Sequence, residues 1–197
     1  SRPMPAKILG EVEPVPLENE IGNDPRRALA RWLTSPDNEL FSRNLANRIW
    51  AHYLGRGIVE PVDDVRASNP PVNPELLSAL AADFVKSGYD LRQLIRTITN
   101  STTYQLSAIP NAHNAKDRQN FSRYYPKRLN AEGLYDSVNT LLDVQTTFAG
   151  QAPGTRAVAL PDNSYNQTTY FLSVFGRPDS SSACECERTQ EASLAQS

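Results

Sequence analysis

The stretch NELFSRNLANRIWAHYLGRG, residues 38–57, constrains the fold more than any other part of the chain. Phe41, Leu45, Ile49 and Tyr53 recur at i+4, and Ala46, Trp50 and Leu54 form a second row beside them. Two adjacent apolar rows make a face too wide to leave in water, so the segment must be a helix with packing partners along that side. Gly55 and Gly57 end it. On another side Asn44, Arg48 and His52 also repeat at i+4 and stack as one polar column.

Other helices supply the partners. Asp24 caps and Pro25 opens a helix over RRALARWLT, with Ala28, Leu29, Trp32 and Leu33 as its core-facing stripe, until Ser35, Pro36 and Asp37 break it. NPELLSALAADFVKSG starts at Asn73 and Pro74, buries Leu76, Leu77, Leu80, Phe84 and Val85, and stops at Gly88. Asp90 then caps DLRQLIRTITNS, whose Leu91, Leu94, Ile95 and Ile98 point inward. So short a connection forces an antiparallel αα-hairpin. A last helix spans 130–142, with Leu134, Val138, Leu141 and Leu142 as its apolar residues.

From Gly150 onward the periodicity dissolves. RAVAL (156–160) reads as a short strand, and SYNQTTYFLSVFGRPDSSS is aromatic and polar without a period. With 39% hydrophobic residues and 15 prolines among 197 residues, long irregular connections between helices are expected. The predicted fold is mainly α: an irregular helical bundle with an αα-hairpin and a long, mostly irregular C-terminal third. Residues 1–23 read as an extended N-terminal connection. Residues 24–197 read as a single helical domain, a fragment of a larger protein that continues past Ser197.

Several function classes fall away at this level. Twenty basic residues stand against 22 acidic ones, with no long run of either sign, so the one-sided positive field of a nucleic-acid binder is missing. No stretch approaches the roughly 18 apolar residues of a membrane span. The segment carries no signal peptide of its own, because SRPMPAKILG has no apolar core. G-x-S-x-G and the phosphate-cradling glycine motifs are absent, as is the C-x-x-C-H of haem attachment.

Two regions are left as candidate sites. The connection GRGIVEPVDDVRASNPPVN, residues 55–73, is longer than a connector needs to be, and long loops are often functional. It carries Arg56, Glu60, Asp63, Asp64 and Arg66. Its three carboxylates can hold a hard divalent cation or serve as acid and base. Alternatively, Asp63 and Asp64 cap loop amides and pair with Arg56 and Arg66; no D-x-D-x-D-G spacing favours the metal. The Asn44/Arg48/His52 column can bind an anion, or it can anchor a neighbouring loop through donors to buried carbonyls.

The second region is CECER. Cys184 and Cys186 are the chain's only cysteines, flanked by Glu185 and Glu187. They offer two of the four ligands of a structural zinc site, with His52 and His113 far away in sequence. They can also form a small, strained and easily reduced disulfide ring, or remain two thiols in a turn.

Taken in order, DPRRALARWLTSPDN, NLANRIWAHYLGRGIVEPVDDVRASNPPVNPELL, SGYDLRQLIRTITNSTTYQLS, YPKRLNAEGLYDSV and FGRPDSSSACECER followed by SLAQS resemble a known family over nearly the whole chain. It is the planctomycete-type domain of unknown function found C-terminal to a cytochrome-c-like domain and a second uncharacterised domain. The resemblance implies an exported protein of the periplasm or cell envelope. Haem c is then expected only on a separate upstream domain, with no cofactor within this segment. It also implies that the upstream domains of the same polypeptide are partners, with a glycan or protein as a further partner class. An oxidising compartment tilts the cysteine pair toward a disulfide. The family brings no established catalytic residues.

Two functions are therefore expected to compete. One is a helical accessory or interaction module. The other is part of an extracytoplasmic enzyme, an oxidoreductase or polysaccharide-processing one, using the Arg48/His52/Asp63/Asp64 region or the Cys184/Cys186 pair. Convergence of these residues in one pocket favours the enzyme; engagement with the local backbone favours the module.

Overall fold

The computed structural model describes residues 25–161 and 169–178. They are helical and contain no strand, so the chain is mainly α. The helices are α1 (Pro25–Leu33), α2 (Glu39–Leu54), α3 (Pro74–Lys86), α4 (Leu91–Thr99), α5 (Ala131–Leu142) and the short α6 (Tyr170–Val174), with a 3-10 turn at Ala157–Ala159. Two compact units divide the chain, residues 1–126 and 127–197.

In the first unit α2 packs against both α3 and α4. α2, α3 and α4 each begin on a side-chain cap; Asp24, the cap that the sequence suggests for α1, lies outside the described residues. Asn38 accepts from the amides of Leu40 (3.0 Å) and Phe41 (3.4 Å), Asn73 from Leu76 (2.9 Å), and Asp90 from Arg92 (2.8 Å) and Gln93 (3.2 Å). Gly55 ends α2 in the left-handed region at φ 78°. The core collects Ala46, Trp50 and Leu54 of α2, Leu77, Leu80 and Phe84 of α3, Leu94 and Ile98 of α4, Ile58 and Val59 of the loop, and Phe121. The row Phe41/Leu45/Ile49/Tyr53 packs around it, half-buried. Leu76, Val85 and Ile95 are likewise only half-buried, and Leu91 is exposed.

The turn between α3 and α4 reverses the chain within residues 87–90. Gly88 (φ 69°) and Tyr89 (φ 64°) both take left-handed backbone. The Tyr89 amide donates back to the Phe84 carbonyl (2.9 Å) and that of Gly88 to Val85 (3.0 Å), which satisfies the end of α3. Tyr89 tolerates this conformation because its ring is wedged edge-on against Phe84 at 5.2 Å and its hydroxyl donates to the Thr34 carbonyl at 2.9 Å.

The second unit has its own small core of Ala131, Phe148, Ala157 and Leu172, flanked by Tyr135, Leu160, Phe171 and Phe175. Three sequence readings need correction here and in α1. RAVAL is not a strand: Ala157–Ala159 is a 3-10 turn, because the buried Asp136 carboxylate accepts the Ala157 (2.7 Å) and Val158 (3.1 Å) amides that a strand would give to a neighbour. The aperiodic stretch after it contains a helix, α6, capped by Thr169. Leu29 of α1 is exposed, against its place in the core-facing stripe of the sequence, while Trp32 and Leu33 of the same stripe are half-buried; in α5 the apolar Leu141 and Leu142 are exposed.

Candidate functional site

The loop between α2 and α3 is built on Asn47. This side chain is fully buried. Its amide nitrogen donates to the carbonyls of Val59 (3.0 Å) and Val62 (3.1 Å), and its oxygen accepts from the Val59 amide (2.9 Å). The carboxamide thus does for the loop what a strand partner would do. Gly57 makes the close approach possible, since a Cβ there would lie 2.2 Å from the Val59 carbonyl oxygen and 3.1 Å from Asn47 Oδ1. The Gly57 amide donates to Glu60 Oε2 at 2.8 Å. Farther along, Asn69 Nδ2 donates to the carbonyls of Glu60 (3.2 Å) and Asp64 (3.0 Å), and the Val72 amide closes the loop on the Ile58 carbonyl at 2.9 Å.

The charged residues follow this frame. Arg48 reaches Asp63 at 2.6 Å, and Arg66 reaches Asp64 at 2.8 Å. Arg56 is half-buried, and its Nε has no hydrogen-bond partner among the described residues. Asn44 is half-buried; His52 is exposed, its ring edge-on to Tyr53 at 5.1 Å. The column therefore does meet the loop, through Arg48. The carbonyl-anchoring, however, belongs to Asn47, which the i+4 count leaves off the column. A signal for it was present: Asn47 precedes Trp50 by three and Leu54 by seven, which puts a polar residue within the buried stripe just before a glycine-rich turn.

Among the described residues no three His, Cys, Asp or Glu side chains gather as a metal ion would require. Cys184 and Cys186 lie outside the described residues. No described helix is long and apolar enough to cross a membrane.

Three further arrangements carry polar chemistry. In the first unit, Asp117 accepts at Oδ1 from the amides of Gln119 (3.0 Å) and Asn120 (2.8 Å), and at Oδ2 from the Ser122 amide (2.9 Å) and the Ser122 and Tyr125 hydroxyls. Partial burial opposes its charge, but the Ser122 hydroxyl and the three amides hold its carboxyl well below the usual range. The Tyr125 hydroxyl, which accepts from the Phe121 amide, is pushed up by burial and by Asp117. This hub fixes Phe121 at φ 54° with its ring edge-on to Trp50, 5.3 Å away. Sequence reasoning passed over it, although the Asn111, Asn114 and Asp117 turn residues mark the segment.

An open groove of about 460 Å³ runs between the start of α2 and α3, lined by Glu39, Ser42 and Arg43 on one side and by Ala81, Ala82 and Lys86 on the other. In the second unit, buried Glu132 faces buried Arg177 at 3.6 Å, and Arg177 also donates to the Pro161 carbonyl at 3.0 Å. Arg156 approaches Asp136 at 3.5 Å.

No curated protein matches the chain, and no solved structure does. A family model does match, over residues 25–197, which takes in the Asn47 loop, the Asp117 hub and the Glu132–Arg177 pair. The chain belongs to PSD1, the family described as protein of unknown function (DUF1553).

Proposed function

We propose that the chain is a helical accessory or interaction module of a larger exported, cytochrome-associated multidomain protein, in which haem c belongs to a separate upstream domain. What supports a module is how the polar residues of the 44–66 region are used. Arg48 is matched to Asp63, Arg66 to Asp64, Glu60 to the Gly57 amide, and Asn47 to Val59 and Val62. A catalytic constellation instead aims its groups at one shared space where a reacting atom sits about 3 Å from each. Here the groups are directed at one another and at the backbone, and the product of that arrangement is a loop of fixed shape. A fixed loop rich in proline and charge is a recognition surface. Its partners are the upstream domains of the same polypeptide, with a glycan or another protein as a further class.

The placement in periplasm or cell envelope and the link to a cytochrome rest on the sequence resemblance in the NRIWAHYLGRGIVEPVDD and CECER blocks. Sedimentation velocity of this chain mixed with the upstream region of its own polypeptide tests the reading. A complex weakened by charge reversal at Arg66 is expected. A chain that ignores the upstream region, yet keeps a small molecule or metal through native mass spectrometry, would sink it.

A further inference from the structure

We infer that the outward face of α5 is a self-association surface, on which a second copy of this chain packs its own α5 in the antiparallel sense. Leu134, Val138 and Leu141 follow one another at four and then three residues, the spacing of a two-helix seam. Leu134 is half-buried, whereas Val138 is 37% and Leu141 86% exposed. Exposed Leu142 and Val144 extend the apolar surface at the C-terminal end of the helix. Apolar side chains scattered singly are ordinary on a surface, but a continuous stripe is the mark of a contact.

The polar side chains around the stripe are already provided for. The Ser137 hydroxyl donates to the Gly133 carbonyl and the Thr140 hydroxyl to the Asp136 carbonyl, each at 2.7 Å. A hydroxyl bonded back onto its own helix needs no water, so covering this face strands no donor. The only charged side chains of α5, Glu132 and Asp136, are buried on the opposite side. The outward face is therefore uncharged and can be desolvated at little cost.

Three features point to a second copy as the occupant. A neutral face gives a charged partner nothing to recognise, yet it meets its own copy without repulsion. Exposed Lys127 and Arg128 precede α5 and exposed Asp143 follows it. An antiparallel pair thus sets the basic end of each copy beside the acidic end of the other, and opposes the two helix dipoles. Finally, residues 162–168 and 179–197 of the same unit lie outside the described residues, and Tyr165 and Leu194 are their only large apolar side chains. Their composition offers little to lay against a leucine stripe.

In the antiparallel register Leu134 of one copy meets Leu141 of the other, and Val138 lies near the two-fold axis. The 12 residues of α5 span about 18 Å, so the contact sits at the small end of specific interfaces and the pair is expected to dissociate on dilution. Below that concentration the face is open, and Leu141 adds little to the stability of the chain itself. The pairing goes beyond the module reading, since it uses the second unit and needs neither the 55–73 loop nor an upstream domain.

Sedimentation velocity of the whole chain alone, over about three decades of concentration up to about 1 mM, tests the surface. A reversible shift from monomer to dimer is expected. Leu141→Glu, at an exposed position, is expected to weaken association at least about tenfold while far-UV circular dichroism stays unchanged. Combining it with Leu134→Lys is expected to restore association, because position 134 faces position 141 only across an antiparallel pair. A chain that stays monomeric at every concentration overturns the inference. So does a dimer that Leu141→Glu leaves intact, which would place the contact elsewhere on the molecule. A folded double variant that fails to restore association overturns the antiparallel register.

Discussion

Asn47 has no exposed surface and three backbone partners, Val59 N–H, Val59 C=O and Val62 C=O, so one carboxamide replaces the ladder a strand would have given this loop. Asn47→Ala leaves three backbone groups without a protein partner and is expected to destabilise the fold by about 3 kcal/mol, at roughly 1 kcal/mol or more per group. Arg48→Ala, which removes a 2.6 Å ion pair between half-exposed side chains, is expected to cost under about 1 kcal/mol. Denaturant unfolding of both variants checks the ranking, and a larger effect at Arg48 would overturn it. The sequence displays Arg48 in a periodic column and hides Asn47, because periodicity finds faces while the worth of a polar residue depends on what the face meets. Asp117 makes a pH prediction at the same scale. Its folded carboxyl is held below the usual range, so its stabilisation is complete above the ordinary aspartate pKa of about 3.9 and fades as pH falls below it. Asp117→Asn is expected to flatten the loss of stability between about pH 4 and pH 2. Melting temperatures across that window read it out; an unchanged slope counts against the hub.

At the scale of elements, α2 and α5 show opposite relations between pattern and burial. The two rows of α2 were legible because the helix meets α3 and α4 across both of them, and the inner row Ala46/Trp50/Leu54 becomes the centre of the core. α5 has an equally apolar set in Val138, Leu141 and Leu142, yet these are 37%, 86% and 66% exposed. What α5 buries instead is Ala131 with Glu132 and Asp136, each polar side chain matched to a specific donor on a neighbouring turn. Composition cannot report such a choice, since it depends on which residues of a small unit supply donors. The same logic explains RAVAL, where an aspartate 21 residues before Ala157 turns a β-like sequence into a 3-10 turn. Leu94→Ala, at a fully buried side chain of α4, is expected to cost about 2–5 kcal/mol, while Leu141→Ala in α5 stays within about 0.5 kcal/mol. Thermal or denaturant melts of the two variants compare them directly. Equal losses would mean that the exposed face of α5 is covered in solution.

Across the whole molecule the family match spans two units whose cores share no residue. The first rests on a conventional apolar centre, and its capped helices and αα-hairpin could be read in advance. The second has only four buried apolar residues described, two of them alanines, and it places a Glu132–Arg177 pair beside them. Among the described residues Glu132 and Arg177 are each 6% exposed, as deeply buried as the apolar side chains they stand beside, so the pair is part of what holds this unit together. Glu132 and Arg177 come from the NAEGLYDSV and FGRPDSSS blocks, which lie far apart in sequence, and neither block looks like a core. Removing one partner of a buried pair leaves an uncompensated charge at a cost of about 3–5 kcal/mol, whereas a neutral isostere keeps a hydrogen-bonding oxygen for the guanidinium. Glu132→Ala is therefore expected to abolish slow hydrogen exchange in α5 and α6 and to leave the amides of α2, α3 and α4 protected. Glu132→Gln should lose only part of the α5 protection. If Glu132→Ala instead lowers protection evenly through both units, their stabilities are coupled and the pair is a keystone of the whole chain. If it lowers none, the small core holds without it and the buried charges serve some purpose other than stability.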